Sequence, residues 1–428
     1  MKKIIKQKFS KKALDALAKG DMATFGINVN KAIENDDETT LEILGETLYD
    51  SGNLVESEQI FNSLLKRDPN NTGAKIMLSD IFNEEGNTDQ ALLLLDEISS
   101  DDEHYLAVLM QKADIYQTLG LEEVSETLLK EAYKRSPNDL AVIFGMAELL
   151  YSEGKYKEAL RYYQQILSDG ITNYLNQNIK VRYANCLAFN GKFEESGAIF
   201  KSFNDILLHD EDLFSKASVF FELNEYQAAA DALETLIDRT SDYGPAYLLL
   251  ARSYENLDQL EDAYRVAERG SEIDEFDERI LKEFASVAFK LGNFEQSKVG
   301  YKKILQRDPE NIAALVDLSS NELKQQNDQE VVNLLTGKEA LDPNLAWNLG
   351  KAYMNLDELQ LAKQNLLLIF NEYKNNPIYL LDLIELFRKD FDIESLLSIM
   401  ALYLNLIPTD DQIASEYERL KKEQEAND

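Results

Sequence analysis

The side chains able to do chemistry are few and lie far apart. General acid–base or nucleophilic catalysis needs a base within hydrogen-bond reach of the group it activates, held by a third group. The chain has two histidines, His104 and His209, with no acid or nucleophile at a repeated spacing around them, and both read as exposed turn residues. Its one cysteine, Cys186, stands between Ala184 and Leu187 on what reads as a packed helix face. That is the setting of a small buried hydrophobe, not of a thiolate nucleophile. A single cysteine also leaves no internal disulfide and no CxxC metal or redox pair. The acidic run SSDDEH at 99–104 lacks spaced ligands and the glycine of a calcium loop, so it reads as a solvated turn. No GxxxxGK[ST] loop, GxGxxG after a strand, or HExxH is written anywhere. The expectation is a non-enzymatic chain with no cofactor and no metal.

Composition narrows the class. The 428 residues are 44% hydrophobic and 29% charged, with 7 Pro and 18 Gly, and no apolar run is long enough to span a bilayer. This is the profile of a soluble chain with ample core material, and membrane insertion is not expected. A formal net charge of -34 repels a nucleic-acid backbone or an anionic membrane over most of the molecule. The start, MKKIIKQKFSKKALDALAKG, sets seven lysines against Asp15 but has no apolar signal core and no cleavage site, so secretion is disfavoured and the cytoplasm is the expected compartment. Those lysines leave an RNA-associated role open; a solvated first helix offsetting the acidic body is the simpler reading.

What would position any functional side chain is a repeat. TLEILGETLYDSGNLVESEQIFNSLLKRDPNN at 40–71 and LKEFASVAFKLGNFEQSKVGYKKILQRDPEN at 281–311 share one frame. With Glu38 as position 1 of a 34-residue unit, further units begin at Thr72, Leu106, Leu140, Gln177 (after a three-residue insertion), Asp210, Gly244, Glu278, Ile312, Pro343 and Pro377. Apolar residues at positions 4, 7, 8 and 11 and at 20, 24 and 27 fall on single faces of two helices. Positions 8 and 20 are mostly Gly, Ala or Ser, as two axes crossing about 8–10 Å apart require. Gly52, Gly86, Gly120, Gly154, Gly191 and Gly292 at position 15 suit a left-handed residue ending the first helix. Pro69, Pro137 and Pro309 end the second, and Asn71, Asp139 and Asn311 are good N-caps for the next. The unit at Ile312 departs from the frame, with Glu322 and Val331 where Tyr and Ala are expected, and its geometry is open on sequence grounds.

LGETL at 44–48, ARSYENL at 251–257 with AYRVA at 263–267, and LGKAY at 349–353 resemble the tetratricopeptide repeat family, over about 38–408. Leu41, Ile143 and Leu281 stand where the family motif has Trp, and Trp347 falls one place late. The chain is also similar in character to the acidic, cytoplasmic, YpiA-like multi-repeat proteins of Gram-positive bacteria. The resemblance implies an all-α fold, a right-handed superhelical solenoid of antiparallel helix hairpins. Residues 1–37 are expected to form a degenerate N-terminal capping hairpin with a basic start, 38–408 a solenoid of about eleven units, and 409–428 a polar capping helix and tail.

The resemblance further implies that first-helix positions 5, 9, 12 and 13 line a concave face. Early units place Glu42, Glu46, Asp50, Asp80, Glu84, Asp114 and Glu148 there; middle units Phe144, Tyr151, Phe189, Phe214 and Phe221; late units Arg252, Lys282, Phe289, Lys290, Lys324, Trp347, Lys351, Arg388 and Lys389. Such sorting of charge steers and orients a partner. The expected function is a protein-interaction scaffold or adaptor holding a partner's peptide or helix, with acidic segments on the late bases and apolar side chains on the central aromatics. Ordinary inter-hairpin packing and solvated charges are the plain alternative for any one of these residues. The carboxylate clamp by which some family members hold chaperone tails is not supported, because Lys282 is paired with Ser286, and Arg182 with Asn185 stands in an isolated unit. A peptide-sensing regulator is a second possibility, weakened because the repeat frame begins by residue 38 and leaves little room for a fused effector module.

Overall fold

The computed structural model describes residues 9–338 and 340–425. The lysine-rich residues 1–8 and the tail 426–428, both part of the expectations above, lie outside them. The chain divides after Ser202 into two compact units. The first runs α1 (Phe9–Leu17), α2 (Met22–Asn35), α3 (Glu38–Asp50), α4 (Leu54–Arg67), α5 (Thr72–Glu84), α6 (Thr88–Asp96), α7 (Tyr105–Thr118), α8 (Glu122–Arg135), α9 (Leu140–Ser152), α10 (Tyr156–Ser168), β1 (Asn173–Tyr174), β2 (Gln177–Asn178), α11 (Ile179–Phe189) and α12 (Phe193–Phe200). The second follows a 3-10 turn, Asp205–Leu207, and runs α13 (Asp210–Glu222), α14 (Tyr226–Arg239), α15 (Gly244–Asn256), α16 (Leu260–Ile273), α17 (Glu278–Lys290), α18 (Phe294–Arg307), α19 (Ile312–Lys324), α20 (Asp328–Leu335), α21 (Pro343–Asn355), α22 (Leu359–Leu368), α23 (Phe370–Tyr373), α24 (Pro377–Lys389), α25 (Ile393–Leu406) and α26 (Asp411–Glu425). Each unit is a stack of antiparallel helix hairpins, as the period requires.

The frame explains the hairpins atom by atom. Position 24 carries Phe61, Tyr163, Phe200, Tyr301 or an aliphatic residue, and every one is buried. The partner at position 8 must then be small: a Cβ on Gly45 would come within 2.8 Å of Phe61, and one on Gly350 within 2.7 Å of Leu366. The small residue at position 20 seals the same crossing, where Ser57 donates to the Gly45 carbonyl and Ser196 to the Ala184 carbonyl, each at 2.8 Å.

Position 15 takes a left-handed conformation in all eleven units. Gly52, Gly86, Gly120, Gly154, Gly191 and Gly292 do so freely; Asn224, Asp258, Gln326, Asp357 and Phe391 do so with φ between 58° and 64°. The turn is therefore dictated by the hairpin, and glycine is its cheapest solution, not its cause. Asn71, Asp139 and Asn311 cap their helices by accepting from backbone N–H groups, as their residue types predict.

Successive hairpins are locked by a feature not anticipated from the frame. Arg67, Arg135, Arg239 and Arg307 share position 30 and reach back to the preceding inter-hairpin turn. They donate to the carbonyls of Asp36 (3.2 Å), Ser100 (3.0 Å), Leu208 (2.7 Å) and Phe276 (2.7 Å). These carbonyls end helices or turns with no intrahelical partner, and a guanidinium fork satisfies them from the next repeat.

The irregular unit at Ile312 is an intact hairpin. Glu322, only 3% exposed, meets Lys298 of the preceding unit at 2.5 Å and accepts from Asn327 at 2.8 Å. A buried ion pair thus fills the volume that an aromatic ring would occupy. The three-residue insertion is not a slack loop either. It forms an antiparallel ribbon in which Tyr174 faces Gln177, closed by Leu175 and Asn176, both at positive φ. That is the geometry of a two-residue hairpin turn.

Candidate protein-interaction site

The candidate residues at first-helix positions 5, 9, 12 and 13 are of two kinds, aromatic and charged, among other residues at these positions that include the buried Val181, Asn185 and Leu248. The aromatic ones are braced on one side by a neighbouring ring. Phe189 is 57% exposed and stacks on Tyr156 with centroids 4.1 Å apart and planes 13° apart. Tyr151 packs edge-on to Tyr156 and lies beneath the Arg182 guanidinium, 4.8 Å from its centroid. Phe214 leans on Tyr243, Phe221 on Tyr226 and Phe289 on Phe294, all half-buried. Phe144 is 8% exposed and packs edge-on to Tyr174 of the ribbon at 5.0 Å, so it is a wall, not a projecting anchor. Trp347 contacts Tyr373 and Tyr379 and donates its indole N–H to Asp382 at 2.7 Å.

The charged residues follow a pairing rule that runs between repeats: position 9 of one first helix meets position 6 of the next. Arg252 pairs with Glu283 at 3.1 Å, Lys351 with Asp382 at 3.3 Å, and Glu148 with Arg182 at 3.6 Å. Asp80 accepts from Gln111 in the same register. Lys290 reaches back to Glu255, and Arg388 forks onto Glu416 of the last helix. Four late bases are therefore matched by acids: Glu283, Asp382 and Glu416 lie outside the four chosen positions, and Glu255 lies at position 12. Lys282 and Lys324 are exposed and have no ion-pair partner among the described residues. The signal for the matching acids was present, one helical position over, but only stacking makes position 6 face position 9 of its neighbour.

Burial tunes a few of these groups. It pushes the Asp80 carboxyl up to about 6, with Glu84 and Asp114 adding to the rise against the Gln111 hydrogen bond. The Asp317 carboxyl also rises on burial, opposed by Lys282. Cys186 is fully buried and its thiol is pushed up to about 12, first by burial and then by Glu148, which suppresses the reactive thiolate. His104 and His209 are exposed turn residues. Among the described residues no group of His, Cys, Asp or Glu could hold a metal ion, and no helix is long and apolar enough to cross a membrane.

Comparison with known proteins agrees with this architecture. Residues 117–171 match the family described as YpiA-like, tetratricopeptide repeats, and residues 343–410 the YpiA-like, C-terminal tetratricopeptide repeats. Residues 48–115 and 220–282 match the general tetratricopeptide repeat. The chain is 24% identical over 383 residues to the TPR repeat-containing protein YpiA of Bacillus subtilis (strain 168), covering 88% of this chain and 87% of that one. It is 30% identical over 138 residues to Cellulose synthase 1 operon protein C of Komagataeibacter xylinus, 30% of this chain but 10% of that protein. Among solved structures it is similar to PilW, a widely conserved type IV pilus biogenesis factor, with 18% identity and a TM-score of 0.41 over 49% of this chain and 96% of that one. Stacked repeats of this kind serve in general as protein-interaction scaffolds, typically without chemistry of their own. The hairpin frame and the matched segments together establish that the chain belongs to the tetratricopeptide repeat family, with YpiA-like repeats at 117–171 and 343–410.

Proposed function

We propose that the chain is a non-enzymatic cytoplasmic scaffold that holds a peptide or helix of a protein partner on the exposed faces of its first helices. The observation that carries this reading is the series of braced but open aromatic rings at fixed positions. Phe189 is the most exposed, and Phe214, Phe221 and Phe289 continue the type in the second unit. Rings held rigid by a neighbour lose little entropy when a partner covers them, which is why aromatic anchors dominate binding hot spots. In the second unit Lys282 and Lys324, which make no ion pair among the described residues, suit a segment that is acidic as well as apolar, and Arg252, Lys290, Lys351 and Arg388 have to be drawn from their internal acids to join in.

The test is affinity capture from native lysate with quantitative mass spectrometry. Wild type is compared with Phe189→Ala and with a Lys282→Glu/Lys324→Glu double variant, and helicity is checked by circular dichroism. A protein set that both variants lose while remaining folded supports the reading. Sets identical to wild type from both folded variants overturn it.

A further inference from the structure

The ribbon inserted between α10 and α11 closes one side of a cavity of about 400 Å³ in the first unit. Its walls are Met110, Leu129 and Phe144, with Tyr174 and Leu175 from the ribbon. Gly145 keeps it open: a Cβ there would sit 3.0 Å from the Met110 methyl and 3.2 Å from Leu129. Leu175 is held at φ 43° and is 70% exposed. A turn that merely closes a ribbon is best served by Asn or Gly, and a leucine in this conformation costs on the order of 1–2 kcal/mol. Apolar surface placed at such cost beside a cavity with one apolar wall and with Asp114 and Glu148 also in its lining points to a ligand that covers both.

The approach to this cavity is acidic. It is continuous with two further depressions along α3, α5, α7 and α9: one shares Met110, Asp114 and Ala141 with it, and the next shares Ile76 and Ala107 with that. Glu42, Glu46, Asp80, Asp114 and Glu148 line the run, and no Lys or Arg among the described residues does. Asp114 is the telling residue. It occupies position 9, whose partner in the next repeat is position 6, and position 6 there is Gly145, which has no side chain to offer. Its carboxylate is exposed at the cavity and has no ion pair among the described residues.

We propose that this run is a docking groove for a protein partner's segment carrying lysine or arginine on both sides of one large apolar residue. The apolar side chain seats between Phe144, Tyr174 and Leu175, and a cation pairs with Asp114. The inference rests on the scaffold reading above, but assigns the first unit a partner charge opposite to that of the second.

The experiment is fluorescence anisotropy on the full chain with a fluorescein-labelled decapeptide bearing one phenylalanine between runs of lysine, against its glutamate counterpart. The lysine peptide is expected to bind, to weaken as salt rises, and to lose about tenfold or more in affinity with either Asp114→Arg or Leu175→Asp, both exposed substitutions. The glutamate peptide is expected not to bind. Equal binding of the two peptides, or indifference to both substitutions with the folds intact, overturns the proposal. A chain lacking residues 1–8 should bind with the same affinity; a tenfold gain would give the groove to the chain's own lysine-rich start instead. Peptide-sensitive dimerisation in sedimentation would give it to a second copy, and either outcome overturns the partner assignment. The scaffold reading fails separately, through capture that ignores Phe189→Ala and Lys282→Glu/Lys324→Glu.

Discussion

The Arg252 guanidinium of one hairpin lies 3.1 Å from the Glu283 carboxylate of the next, and Lys351 repeats the same reach to Asp382 three repeats further on. The charge that a first helix presents is thus set by two repeats together. Arg252 is half-exposed while Glu283 is nearly buried, so the two ends of the pair are not equivalent. Removing the base by Arg252→Met leaves a shielded carboxylate unmatched and is expected to cost about 1–2 kcal/mol, whereas the double change Arg252→Met/Glu283→Gln recovers most of it. Urea unfolding of the four members of this cycle measures the coupling, and simple additivity would remove the pair from the account of stacking.

The buried Lys298–Glu322 pair should be far less tolerant. Glu322→Ala strands an ammonium and opens a void, with an expected loss of about 3–5 kcal/mol, while Lys298→Met/Glu322→Leu should unfold within about 1 kcal/mol of wild type or above it. A mild effect of Glu322→Ala in urea titration would mean that the pair is hydrated in solution.

At position 15 the conformation comes first and the residue second. Gln326→Gly and Phe391→Gly relieve a left-handed strain and are expected to raise the urea midpoint by the equivalent of about 1 kcal/mol each, offset in part by the freer unfolded chain. Gly52→Ala should cost a similar amount. Destabilisation by both glycine substitutions would show that these turns are held by contacts of the native side chains.

Asp80 gives a pH dependence of definite sign. Its folded carboxyl titrates near 6, above the ordinary value of 3.8, because burial disfavours the charged form. The folded state therefore binds the extra proton between those values, and Asp80 weakens the fold as pH rises through that window, by up to about 3 kcal/mol above it. Asp80→Asn should be more stable than wild type at pH 7.5, and the difference should shrink steadily toward pH 4. Glu84 and Asp114 face the same group, so neutralising either should reduce the effect. A difference independent of pH would mean that Asp80 is solvated in the native state.

The helices were legible because their cause is local. First helices begin at Glu38, Thr72, Leu140, Asp210 and Glu278, where the frame places position 1, because i to i+4 periodicity, caps and a left-handed terminator all act within one hairpin. Burial of Cys186 and exposure of both histidines followed from the same registers. The geometry of the Ile312 unit did not follow, because Glu322 at an aromatic position becomes intelligible only beside Lys298, a residue of the previous repeat.

What the sequence by itself determined is the repeat: its period, its crossing residues and the left-handed position that ends each first helix. What only the tertiary structure decided is which charges on those helices remain unmatched and where an apolar side chain can enter. Arg252 and Lys351 look as free as Lys282 in one dimension, yet their acids arrive from a residue 31 positions on. Asp114 looks no different from Asp80, yet its partner position holds Gly145. An ion pair across repeats depends on the stacking offset between hairpins and a cavity on what an inserted ribbon leaves uncovered, and both are properties of elements assembled in space.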